Sequence, residues 1–176
     1  MIPLFVGLTL VNLLGLCAAA ALGYASRAGY PVGPWHILAG AMAALTCVGV
    51  HCVVFTYFIA TAKWIQHAVM VKRLDDQLVR PTRSFRKQAF PAALLAMAVV
   101  IATAFLGAAR DNGLIPRGWH HGVAIAALVV NLAVAVLEFR AIRSNSHLID
   151  RILETIARQD QRLTPAPAPA NITGHE

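Results

Sequence analysis

Charged side chains are scarce in this chain, at 13% of its 176 residues, whereas soluble domains carry roughly 25%. So few charges cannot cover a water-facing surface of this size, and the 58% of residues that are hydrophobic have to meet something other than water. Cysteine is also scarce: Cys17, Cys47 and Cys52 lie inside apolar runs, with no CxxC spacing and no evident disulfide framework, and they read as small core residues. No Walker A loop, HExxH helix or nucleophile elbow is present, so no motif-borne nucleotide, zinc-protease or esterase chemistry is encoded. Nor does a Gly/Pro-broken helix pair mark a transporter site.

What is present is four long apolar runs, Ile2–Tyr24, Trp35–Thr61, Phe90–Ala109 and Trp119–Phe139. Each is close to the ~20 residues a helix needs to cross about 30 Å of hydrocarbon. The expected fold is all-α: an integral membrane four-helix bundle over residues 1–143, followed by a cytoplasmic helical extension. The first run lacks a basic leader and is longer than a signal-peptide core, so a retained helix is expected. Breakers between Ser26 and Pro34, and again between Asp111 and Pro116, mark tight joints. Pro3 and Pro91 are expected at helix starts, where a missing N–H costs nothing.

Basic residues are distributed unevenly. All of the 15 except Arg27, Arg110 and Arg117 lie between the second and third runs or beyond the fourth. By the positive-inside rule both termini are cytoplasmic, in a bacterial inner membrane as the arginine- and alanine-rich composition suggests. Tyr24, Tyr30, Trp35 and Trp119 then mark the outer boundary, and Tyr57 and Trp64 the inner one. The net charge of +7 calls for anionic lipid headgroups as partners, and no module for nucleic acid has room.

Residues 144–163 show apolar Ile149, Ile152, Leu153 and Ile156 at helical spacing. That stripe fits a helix lying on headgroups, or one docking on a partner or a second copy. Another short interfacial helix is expected up to Arg80, ended by Pro81. Residues 164–176, with their Pro-Ala alternation, are expected to form a disordered tail, and the Asn171 sequon carries no meaning on the cytoplasmic side.

Polar residues within the runs are the functional candidates. On the second helix Gly40, Ala44, Cys47, His51, Phe55, Phe58 and Ala62 share a stripe, so His51 faces a neighbouring helix. Asn12, Thr103 and Asn131 fall near its depth and complete an expected intramembrane network. His36, His120 and His121 lie together at the outer boundary, where they suit a metal ion or the axial positions of haem b. His36 and His51, roughly 23 Å apart along one helix, also suggest a stack of two haems. The fourth helix, however, offers Asn131 and no deep histidine to match. At the inner ends, Glu138 and Lys63 are placed to pair. The small-residue ridge Gly15, Ala19 and Gly23 implies close helix packing. Two two-helix halves can be drawn, but their polar positions do not correspond.

These features favour a non-catalytic anchor or accessory subunit that packs against other membrane subunits or self-associates. The alternatives are a redox or proton-handling subunit using haem b or quinone at His36, His51, His120 or His121, and a small channel or transporter. No catalytic residue is expected in the chain by itself.

Overall fold

The structure, a computed structural model, describes residues 1–163 of the chain. Four helices account for nearly all of them: α1 (Ile2–Arg27), α2 (Gly33–Lys72), α3 (Arg80–Asp111) and α4 (Arg117–Leu163). The described residues contain no strand. Each helix is long and apolar enough to cross a membrane, and the molecule is an all-α, multi-pass membrane bundle. α1 packs on α2 and α4, α3 packs on the same two, and α2 and α4 touch across the diagonal.

Buried side chains recur every seven residues. They are Phe5, Asn12 and Ala19 on α1; His51, Phe58 and Ile65 on α2; and Thr82, Ala89 and Ala96 on α3. On α4 two interleaved series are buried, Ala127, Val134, Ala141 and Leu148 with Asn131, Glu138, Asn145 and Ile152. A seven-residue repeat holds one seam of a helix against its neighbour, as in left-handed bundles. The opposite faces carry Leu14, Leu45 and Phe105, each about two-thirds or more exposed, as a lipid-facing belt requires.

α2, with 40 residues, and α4, with 47, run to about 60 and 70 Å, roughly twice the hydrocarbon thickness. Their surplus lies at one end and forms a stalk. There Ile65, Val69, Leu148 and Ile152 make a core of their own, with Leu74, Leu78, Phe85, Ile149 and Ile156 packed around it. The expected helical extension over residues 144–163 continues α4 without a break, and most of its apolar stripe is used within the chain. Gln159 donates to the Lys72 carbonyl, and Lys72 pairs with Asp160 at 2.8 Å.

The basic joint also differs from expectation. α2 runs to Lys72 and is closed by Arg73 in the left-handed conformation. A short 3-10 turn, Asp76–Val79, follows, capped by Asp75. Pro81 then begins α3 instead of ending a helix, as Pro3 begins α1 and Pro34 begins α2. Pro91 falls inside α3, where flanking packing outweighs the one backbone hydrogen bond it deletes. The Pro-Ala segment and Asn171 lie outside the described residues.

Candidate functional site: a histidine-lined cavity at the loop end

The two short interhelical loops share one end of the bundle, and His36 sits there in the first turn of α2. Its Nδ1 lies 2.9 Å from the Ala19 carbonyl on α1. A carbonyl only accepts, so Nδ1 carries the proton and Nε2 is left with a lone pair. The ring sits against Gly23, where a Cβ would stand 2.9 Å from its Cε1. Only glycine allows this approach, which gives the small-residue ridge of α1 a specific purpose.

His120, in the first turn of α4, repeats every part of this arrangement. Its Nδ1 lies 3.1 Å from the Thr103 carbonyl on α3, and it covers Gly107, where a Cβ would stand 3.1 Å away. Each histidine binds a carbonyl 17 residues before it. The turns match as well. Tyr30 donates to Ala25 and Gly29 to Ser26, as Leu114 donates to Ala109 and Gly113 to Arg110. Gly29 and Gly113 both take positive φ, 93° and 73°.

One offset of 84 residues relates all of these pairs, and Trp35 to Trp119, Ala43 to Ala127 and Val50 to Val134 besides. The two hairpins therefore correspond, contrary to the expectation from their polar residues. Counterparts also meet along a line between α2 and α4. The His36 and His120 rings stand 6.1 Å apart, Cys47 donates to Asn131 at 3.3 Å, and Asn145 donates to Thr61 at 3.1 Å. Residues that touch their own counterparts lie on a pseudo-twofold axis, which here runs along the bundle.

Beside the two rings the helices leave a half-open cavity of about 430 Å³, within the usual range for cofactor sites. Its walls are mostly small, with Ala20, Gly40, Ala104 and Ala124 among them, and Arg110 and Asp111 stand on its rim, 3.6 Å apart. Neither Nε2 has a hydrogen-bond partner among the described residues. Rings 6.1 Å apart centre to centre can both reach one ligand atom placed between them. Among the described residues no group of three or more His, Cys, Asp or Glu is placed to hold a bare metal ion.

Of the four candidate histidines only His36 and His120 share this cavity. His121 turns away and stacks edge-on against Tyr24 of α1, with centroids 4.6 Å apart. His51 lies further along α2 in a second polar region, where its Nδ1 is 2.9 Å from Glu138 Oε1 and both residues are at most 3% exposed. Glu138 thus faces the core and His51 instead of Lys63, which is exposed. A proton shared between the two leaves the pair neutral overall, the arrangement that low-dielectric surroundings tolerate best.

The expected intramembrane network divides in the same way. Asn12 donates to Asn131 at 3.2 Å, and Asn131 also accepts from Cys47. Thr103 does not join them, because its hydroxyl bonds the Val99 and Val123 carbonyls and its own carbonyl serves His120. Towards the stalk, Asn145 donates to Tyr57 and Thr61. His51 Nε2 and Asn12 Oδ1 are buried without a partner among the described residues.

No family model, curated protein or solved structure matches the chain. The geometry of these two regions is therefore the ground for any functional reading.

Proposed function

We propose that the protein is an electron-carrying membrane subunit whose loop-end cavity would hold one haem b, with His36 and His120 as its protein ligands. The observation that carries this reading is the pair of pinned imidazoles. Each has Nδ1 committed to a carbonyl, a free Nε2 and a spacing suited to one metal centre between them. A porphyrin supplies four equatorial nitrogens, so two protein ligands suffice where a bare ion needs more. The small-residue walls leave room for a planar macrocycle, and Arg110 on the rim would turn from Asp111 to its propionates. The bound group would supply one-electron transfer, while the chain fixes ligand orientation and excludes water.

The same reading places the loop end outside and the stalk, with both termini, in the cytoplasm of a bacterial inner membrane, supported by the basic residues gathered at the stalk. One haem with no catalytic constellation around it suits an accessory subunit that passes electrons within a larger complex. The stalk, carrying its own apolar core and a charged exterior, is where such a complex would be contacted.

The test is an absorption spectrum of the protein purified from haem-replete cells. A reducible Soret band is expected in the wild type, in His121→Ala and in His51→Gln, and its loss in the His36→Ala/His120→Ala double variant. A colourless wild type, or haem retained by that double variant, would overturn the assignment.

A further inference from the structure

The basic end of the bundle carries a second concavity, on the lipid-facing side between α1 and α4. It measures about 410 Å³ and is walled by Phe5, Val6, Leu10, Leu132, Val136 and Phe139, with Arg140 and Arg143 at one end. The two arginines, one helical turn apart, form no salt bridge among the described residues. Phe5 packs in one cluster with Ala141 and Ile142, so Thr9, one turn further along α1, lies about one turn deeper than the arginines. Thr9 also lines the groove, and its hydroxyl is buried without a partner among the described residues.

The internal repeat provides a control for this groove. Its counterpart lies between α3 and α2, where Phe90 stands in place of Val6 and closes edge-on against Phe55, with centroids 4.7 Å apart. At the same offset Arg140 corresponds to Thr56, Arg143 to Ile59 and Thr9 to Ala93. One half has filled this slot with an aromatic pair. The other has kept it open and furnished it with two cations and a hydroxyl.

We infer that the α1–α4 groove is a binding site for one anionic phospholipid. Its phosphate sits between Arg140 and Arg143, the Thr9 side chain turns its unpartnered hydroxyl into the groove to donate to an ester carbonyl, and an acyl chain lies along Leu10, Leu132 and Val136. The vertical order fits the ligand: charge at the rim, a single hydrogen-bond donor below it, then only hydrocarbon. Zwitterionic lipid presents the same chains but adds a cation that the two guanidinium groups repel.

The experiment is native mass spectrometry of the full chain from micelles doped with phosphatidylglycerol or with phosphatidylcholine of the same acyl chains. One phosphatidylglycerol per chain should survive detergent release, with phosphatidylcholine retained at least about tenfold less, a preference of roughly 1.4 kcal/mol. Arg140→Thr/Arg143→Ile, which installs the residues of the other half, should abolish the preference. Arg80→Gln/Arg83→Gln, which removes as much positive charge elsewhere at the basic end, should keep it. Thr9→Ala should weaken retention by about threefold. Equal retention of the two lipids, or an undiminished preference in the Arg140/Arg143 variant, would overturn the site. Circular dichroism of each variant separates loss of lipid from loss of fold, and a misfolded pair is replaced by Arg143→Gln, for which the same loss is required.

Discussion

At the loop end, whatever one hairpin contributes the other repeats: a histidine, the glycine beneath it, the carbonyl it binds and the left-handed glycine of the turn. Deeper along the same axis the positions still correspond, but the chemistry does not. Cys47 faces its counterpart Asn131 and Thr61 faces Asn145, while the acid–base pair His51–Glu138 corresponds to Ala135 and Val54. A symmetric site offers a central group two like ligands, as the proposed haem would take. An asymmetric pair joins two particular helices, α2 and α4, at one register and no other. The first kind of design suits a cofactor, and the second suits specification of the bundle.

The comparison is sharpest if the deep pair is broken. Glu138→Leu should destabilise the protein by about 3–5 kcal/mol in denaturant titrations from mild detergent, because it strands a buried imidazole. Adding His51→Leu should recover much of that loss, and His51→Gln alone should be better tolerated than His51→Leu. A double variant as unstable as the sum of its singles would show that the two residues act separately.

A smaller loss is expected one level nearer the loops. Asn131→Leu removes the partner of both Asn12 and Cys47 and should cost about 1–3 kcal/mol. Unchanged stability there would move the register-setting contacts to the stalk.

At the loop end itself the expected effect falls on the proposed haem more than on the fold. Gly23→Ala and Gly107→Ala each force a ring to move, at an overpacking cost of about 1–3 kcal/mol, with Gly23 the tighter of the two. Both should shift or diminish the Soret band, and normal spectra would mean that the rings are not ligands.

The smallest effect belongs to the stalk surface. Lys72→Ala, which removes a pair whose members are 37% and 53% exposed, should change stability by less than about 1 kcal/mol.

Much of this architecture is legible in the sequence. Four apolar runs, the breakers between them and the uneven placement of arginine are enough for the bundle and its expected orientation. Helix ends are less so. The basic residues beyond Thr61 look like the start of a joint until the stalk core of Ile65, Val69, Leu148 and Ile152 shows that α2 continues the same seam alongside the expected extension of α4. His36 and His120 can be picked out as neighbours, but His121 is an equal candidate until helix phase turns it towards Tyr24. The repeat is harder to see, because alanine and leucine match everywhere in an apolar chain. Its informative signals are Leu22-Gly23 with Leu106-Gly107 and Trp35-His36 with Trp119-His120, far apart and easily passed over. Glu138 is hidden for a different reason: beside Arg140 it resembles an interfacial residue, and only the seven-residue series from Asn131 to Asn145 turns it inward.

One haem held between the two hairpins, with one ligand from each, is the central proposal. Electron paramagnetic resonance of the oxidised protein, combined with a haem count per chain, tests it most directly. The account predicts one haem per chain with a low-spin signal in the wild type, turning high-spin when either His36 or His120 alone becomes alanine and staying low-spin in His121→Ala. A low-spin centre that survives both single substitutions, or a chain that never takes up haem, would contradict it.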